Sequence, residues 1–400
     1  MSHAAAPRAV LHIAGLVLIG VVGGVGCARS HLDISDEVLA TATPEVLERV
    51  RANPYNYFRL VNREWTTRVC EMLAADLPGQ PVVQLHGDAH VEQFAYMSDA
   101  WGLDDFDDAT RGPAPVDIVR FLGSIDLATR QRDWTSERDA AMTRFLDGYR
   151  RGLSDPAYRP SEPELVRELR ARSPMSSPEF LAWGEKQMEP MEDIAYRSVL
   201  EGMEALARLM RAERSDLPPE YFAVVRAGWV HFGVGSALAR RVLIRVQGRT
   251  ADPADDELFE AKEVSNLDGL RCLDEPSLPS AVRVIDGTRQ LGRLKHDILA
   301  VGPTLLIAPA ADRTQHYLEW WVSRWEPTYR EVRVGDLRSV ADLADISFDA
   351  GVQLGAGQPP DDAVRARALA SFAKLESRYR KETSALVEEM LTGWRELGAR

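Results

Sequence analysis

Carboxylates gathered on two turns constrain this chain more than any other feature of its sequence. One turn is His86-Gly87-Asp88-Ala89-His90-Val91-Glu92-Gln93-Phe94; the other is Leu103-Asp104-Asp105-Phe106-Asp107-Asp108. Apolar residues that read as strand flank both: Pro81-Val82-Val83-Gln84-Leu85 runs into His86, and a short hairpin leads to Trp101-Gly102-Leu103. The pair supplies carboxylates of two kinds, one able to orient or deprotonate a hydroxyl and others able to hold a hard cation through oxygen alone.

The 400 residues allow one large domain or two modest ones, and 45% hydrophobic with 27% charged residues is ample for a buried core. The formal charge of −13 argues against a nucleic-acid partner, which needs a basic face. Residues 1–10 carry Arg8 and no acid, 11–25 are almost wholly apolar or Gly, and polar sequence begins after Cys27. This reads as a signal segment over 1–27, short for a membrane span. Gly24-Val25-Gly26-Cys27 resembles a bacterial lipoprotein box, which implies cleavage, a lipid on Cys27 and a membrane-anchored, extracytoplasmic protein. Gly24 departs from the pattern, where a branched apolar residue is usual; an uncleaved anchor or a misassigned start are the alternatives. Cys70 and Cys272 are expected to be buried free thiols, with one bridge as the alternative in an oxidising compartment. There is no CxxC, so no structural zinc site is expected.

Helical spacing over 36–51 leads into Asn53-Pro54-Tyr55-Asn56-Tyr57-Phe58-Arg59, where Pro54 is expected to break the pattern. A helix is expected over 65–77. After Gly112-Pro113-Ala114-Pro115, Asp117 caps or opens a helix through Ile118, Phe121, Leu122, Ile125 and Ala128, and the pattern stays mostly helical to 212. Strands are expected over 221–227, 238–246 and 258–264, with the turn Gly233-Val234-Gly235-Ser236 between the first two. A helix over 280–299, a strand over 303–308 and helices over 336–356 and 362–397 follow. The order is helical, then β-rich over 218–325, then helical.

Several spaced motifs agree in order with a bacterial family catalogued as domain of unknown function 2252, and over about 45–350 the chain resembles it. They are Asn53 to Arg59, His86-Gly87-Asp88-Ala89-His90, Asp104-Asp105-Phe106-Asp107-Asp108 with Gly112-Pro113 and Asp117, Gly233-Val234-Gly235-Ser236, Ala261-Lys262-Glu263 and, more weakly, Val284-Ile285-Asp286-Gly287. That family looks like a relative of protein kinases and aminoglycoside phosphotransferases. The resemblance implies an α+β, two-lobed, kinase-like fold that is circularly permuted, since the glycine turn and strand lysine follow the catalytic and metal loops instead of preceding them. Residues 28–217 would form a large helical lobe, 218–325 a small β-rich nucleotide-binding lobe, and 326–400 helices completing the large lobe.

The roles this implies are those of an ATP- and Mg²⁺-dependent phosphotransferase acting on an unidentified hydroxyl acceptor. Asp88 would orient or deprotonate the nucleophile. Asp105 would bind Mg²⁺, with Gln93 where such loops usually carry Asn, and with Asp107 replacing a glycine and adding an oxygen. Lys262 would meet the nucleotide phosphates, and Gly233, Gly235 and Ser236 would let the backbone approach them. Asp286 is the candidate lysine partner on the small-lobe helix.

Plainer readings stand beside these. His86 is expected to be structural and Asp117 a helix cap or loop brace; His90 packs or touches substrate; Asp104 and Asp108 read as exposed acids. A binuclear metallophosphoesterase needs more ligands than His31, His231, His296 and His316 offer around His86-Gly87-Asp88-Ala89-His90, and no GxSxG elbow appears. The same site also admits a pseudokinase, binding a nucleotide or partner without turnover, or nucleotidyl transfer.

Overall fold

The computed structural model describes residues 32–172, 176–231, 239–274, 280–296, 299–301, 305–307 and 316–399. The leader with Cys27, and Gly233, Gly235 and Ser236, lie outside the described residues. The fold is a mixture of helix and antiparallel sheet, an α+β chain.

Four helices open it: α1 (Asp36–Thr41), α2 (Pro44–Ala52), α3 (Pro54–Leu60) and α4 (Asn62–Met72). Pro54 does break the pattern, since α2 ends at Ala52 and Asn53 is extended, and it also starts the next helix. It sits in the first turn of α3, where a missing N–H costs nothing, and the Asn53 side chain caps that turn by accepting from Tyr55 N.

Two small ladders come next. Strand β1 (Val82–Leu85) pairs with β4 (Thr110–Pro113), and between them lie β2 (Phe94–Tyr96) and β3 (Trp101–Leu103), which pair with each other. The registers Leu85↔Thr110 and Phe94↔Leu103 force the segments 86–93 and 104–109 side by side. Helix α5 (Pro115–Gln131) follows, buried along nearly all its length, then α6 (Arg138–Ser154) and α7 (Glu164–Arg172).

Helices α8 (Ser177–Gln187) and α9 (Asp193–Glu213) precede a five-stranded antiparallel sheet. Its strands are β5 (Val224–Trp229), β6 (Arg241–Val246), β7 (Glu257–Glu263), β8 (Leu299–Val301) and β11 (Trp320–Trp325), in the order β5-β6-β7-β11-β8, with α10 (Ser280–Leu291) between β7 and β8. Strands β9 (Leu305–Ile307) and β10 (His316–Leu318) form a separate pair. The helix expected over 280–299 is therefore shorter: it closes at Leu291, where Gly292 N donates to Thr288 O, and Leu299 already belongs to a strand. Strand β12 (Arg330–Glu331) joins β2, and α11 (Val340–Gly357) and the 38-residue α12 (Asp362–Ala399) complete the chain.

The buried side chains fall into two main groups. The larger draws on 32–166 and again on 332–397, so helices from both ends of the described chain share one core. The smaller lies against the sheet and includes Val199, Met203 and Ala207 of α9 packed with Val242, Ile244 and Phe259. Here the structure departs from the boundary read at 217. The i, i+4 stripe Ala195, Val199, Met203, Ala207 turns α9 toward the sheet, and Phe180 and Leu181 of α8 pack on Leu243 and Leu258. Both helices belong with the strands.

Cys70 and Cys272 are not free thiols. They form a disulfide, with Cα atoms 5.6 Å apart, that ties α4 to the segment between β7 and α10 across 202 residues. Among the described residues no helix is long and apolar enough to cross a membrane.

Candidate functional site

The first acidic loop is held from below by α5. Asp117, in the first turn, accepts from His86 N at 2.8 Å and Gly87 N at 2.9 Å, and Gln358 Nε2 donates to it at 2.7 Å. It braces the loop instead of capping its own helix. His86 links the two loops: its Nε2 lies 3.0 Å from Asp104 O, and its Nδ1 accepts from Asp88 N at 3.3 Å, which places the ring proton on Nε2. Its ring also packs on Phe106, with centroids 4.8 Å apart.

One turn after Asp117, Arg120 reaches the same loop. Its Nε donates to Asp88 Oδ1 at 2.8 Å, and its guanidinium lies over the Phe58 ring. Burial alone would raise the Asp88 carboxyl, but Arg120, and after it His90, hold it down at about 2. His90 is fully buried, 3.5 Å from Asp88 Oδ2, and burial outweighs that carboxylate to bring it down to about 4, so it is neutral at pH 7.

The second loop carries an unusual backbone. Asp105 has φ +61°, a left-handed conformation that aspartate tolerates better than most residues and that recurs at functional sites. From there it meets Lys262 of β7. Lys262 Nζ donates to Asp105 Oδ1 at 2.7 Å and to Asp107 Oδ2 at 3.1 Å, although 157 residues separate lysine and Asp105. Arg241 lies opposite Lys262 in the β6–β7 register and adds a second cation, 3.9 Å from Asp107 Oδ2 and 3.3 Å from Glu260 Oε1. Burial would raise Asp105, but Lys262 and Arg241 drive it far below the usual carboxylate range. Asp107 moves the other way, pushed up by burial and by the neighbouring Asp105 charge. Lys262 ends above its ordinary value, because Asp105 and Asp107 outweigh burial and the Arg241 charge.

Asp104 and Asp108 are not exposed acids. Asp104 is buried, 3.0 Å from His296 Nε2. Asp108 accepts from Asn62 Nδ2 at 3.0 Å, and burial, then the Asp88 charge, raise its carboxyl. Gln93 passes its backbone oxygen to Asp104 N at 2.9 Å, while its side-chain Oε1 is buried without a partner, as is Asp107 Oδ1.

Asp286 does not pair with Lys262. Helix α10 turns Ala281, Val284 and Gly287 inward, which leaves Asp286 on the exposed side. The inward polar residue is Arg283, whose guanidinium donates to Asp107 O at 2.9 Å, Ala109 O at 2.6 Å and Ser265 O at 2.6 Å. Arg120, Arg241, Arg283 and Asn62 are thus parts of the site that motif reading passed over. Arg120 was traceable from its i, i+3 spacing to Asp117, and Arg241 from strand alternation.

Two cavities meet at this cluster. One, of about 480 Å³, lies between the sheet and the helical part and is lined by Lys262, Arg241, Asp104, Asp105 and the aromatic residues Trp321 and Trp325. The other, of about 440 Å³, is lined by Asp88, Gln93, Asp105, Asp107, Asp108 and Asn62. Asp105 belongs to both walls. Among the described residues no group of three or more His, Cys, Asp or Glu is disposed to hold a metal by itself.

A family model described as an uncharacterized protein conserved in bacteria (DUF2252) matches residues 39–180, the stretch that holds both acidic loops and the α5 residues beneath them. Neither a curated protein nor a solved structure matches the chain.

Proposed function

We propose that this protein is a kinase-like phosphotransferase that uses Mg-ATP and a hydroxyl acceptor, the nucleotide entering the 480 Å³ cavity and the acceptor the 440 Å³ one. The observation that carries the reading is Asp105, which lines both cavities and is bonded to Lys262 at their seam. Phosphoryl transfer asks a protein for positioning and charge, and these residues supply both. Lys262 and Arg241 present cations to a phosphate chain. Asp88 lies in the second cavity with its carboxylate fixed by Arg120, ionised at neutral pH and able to accept a hydrogen bond from an attacking hydroxyl. The meander β5-β6-β7, then α10, then β8 and β11 supports a small lobe of kinase type, placed after the catalytic loops in the chain.

The donor set suits a hard cation. Gln93 Oε1 and Asp107 Oδ1 are buried oxygens without partners, and with Asp105 they offer oxygen alone. Mg²⁺ takes one or two carboxylates and completes its shell with phosphate and water, so it needs no full protein cage. Bound there, it would neutralise charge on the transferring phosphate. Release of the Asp105 carboxylate by Lys262, as that amine turns to phosphate, would free the ligand.

A pseudokinase is the second reading, favoured by the same ion pair: Lys262 is already neutralised by both acids that the metal requires. The deciding experiment uses leaderless protein and its Asp88→Ala and Asp105→Ala variants, with calorimetric Mg-ATP binding and transfer of labelled γ-phosphate to candidate hydroxyl compounds. Binding and transfer in the wild type, with transfer lost in D88A and both lost or weakened in D105A, support the enzyme. Binding without transfer supports the pseudokinase; no binding and no transfer end both. The product mass separates phosphate from nucleotidyl transfer.

We also propose an extracytoplasmic, lipid-anchored location. The disulfide supports it, since such bonds persist in oxidising compartments.

A further inference from the structure

The far end of the larger cavity holds an aromatic stack that the phosphate chemistry leaves unexplained. Phe180 and Trp183 come from α8, and Trp325 ends β11. The Trp183 ring lies nearly parallel to both neighbours, 5.9 Å and 19° from Phe180 and 5.7 Å and 21° from Trp325. All three line the cavity, yet Trp183 remains 37% exposed, the residue of this stack that leaves most surface to solvent.

The placement is built. Gly184 lets α8 lie directly on the sheet, because a Cβ there would come within 2.4 Å of Leu258 Cδ1. Trp325 Nε1 donates to Glu260 Oε2 at 2.9 Å, which fixes the ring that Trp183 stacks on. Leu258 is the β7 partner of Trp325, and Lys262 is the β7 partner of Trp321. The stack and the lysine therefore stand at opposite ends of one face of the sheet, from Trp321 to Trp325, about 14 Å at the rise of a strand.

We propose that Trp183, supported by Trp325, is the platform on which the base of the bound nucleotide stacks, and that α8 thereby sets the affinity for the base. The cavity commits to such an occupant through its two ends: cations at Lys262 and Arg241 for a phosphate chain, flat aromatic surface for a planar ring. This assignment rests on the nucleotide reading above but names residues which that reading does not need, since phosphate contacts alone would hold a chain without a base.

The test compares two probes, ATP and inorganic tripolyphosphate, each with Mg²⁺, by calorimetry on leaderless wild type and on Trp183→Ala and Trp183→Phe. Stacking predicts that W183A weakens ATP at least about tenfold, leaves tripolyphosphate unchanged, and that W183F restores most of the loss. Unaltered ATP affinity in W183A would overturn the platform while sparing the phosphotransferase. Equal weakening of both probes would overturn it too, as a general distortion of the cleft. If the wild type binds neither probe, the nucleotide reading falls and takes the platform with it. A melting temperature close to wild type confirms that W183A is folded, as expected for a partly exposed side chain.

Discussion

Gly87 lies so close to Asp108 that a Cβ on the glycine would stand 1.9 Å from the aspartate's carbonyl oxygen. Its φ of +84° adds a second demand that only glycine meets cheaply. This contact joins the two acidic loops. Gly87→Ala must open the junction or unfold it, and we expect a loss of about 2–4 kcal/mol, from clash and left-handed strain together. Chemical denaturation measures it; a variant as stable as wild type would show that the loops do not touch there.

Arg120 is the counter-charge of Asp88. Arg120→Met leaves a buried carboxylate unpaired, a cost of about 3–5 kcal/mol at pH 7. The wild-type pair also has an acid limit. Asp88 is depressed from 3.8 to about 2, so its contribution of about 2 kcal/mol is complete above pH 4 and lost as pH falls toward 2. Denaturation curves between pH 5 and 2 should show this slope in wild type and lose it in Asp88→Asn.

His90 sets a second slope at milder pH. Burial lowers it from 6.5 to about 4, so the unfolded chain takes up a proton that the folded one refuses. Stability should fall by about 3 kcal/mol as pH drops from 6.5 to 4. His90→Gln should remove most of this dependence. An unchanged profile in that variant would assign the acid sensitivity elsewhere.

Lys262→Met strengthens a trend that Asp107 already sets in the wild type. Without the amine, Asp105 and Asp107 are half-buried carboxylates left with Arg241 and, at the Asp107 backbone, Arg283, and Asp107 holds its proton further above the unfolded value. Such a group stabilises at low pH and loses that contribution as pH rises through its folded pKa. The variant should therefore be destabilised by roughly 3–5 kcal/mol at pH 7 and partly recover on acidification toward pH 5. Monotonic weakening with acid would mean that the lysine does not neutralise this pair.

Reducing Cys70–Cys272 releases a closed loop of 202 residues' separation, and loop entropy puts the loss at about 5 kcal/mol. Arg63 holds the same segment through Asn266 O and Asp268 O, so the wall of the smaller cavity stays docked at first. The melting temperature should drop on reduction, and Cys70→Ser should show the same drop without reductant.

Much of the site was legible because its chemistry sits in short motifs. The acids at 88, 105 and 107 and the cation at 262 announced themselves by clustering and strand position, and their meeting follows from two strand ladders and one sheet. What sequence could not convey was partnership across long separations. Arg283 and Asp286 lie three positions apart on α10, and the packing of Ala281 and Val284 on Trp321 and of Gly287 on Ala109 decides which faces the loop. Cysteines 202 positions apart carry no mark that they meet. The stripe on α9 was visible as a stripe, but an amphipathic helix does not say whether its apolar face will find helices or strands.

The division of the helical core between the two ends of the chain has a consequence for synthesis. A polypeptide leaving the ribosome holds residues 32–166 early, yet their apolar faces wait for 332–397. The intervening strands and the helices on them form clusters of their own, while the larger core is complete only when 332–397 are present. Contacts of such range form slowly, so the larger core is the last part of the fold to close, and a truncation anywhere in α12 leaves apolar surface near the start of the described chain uncovered.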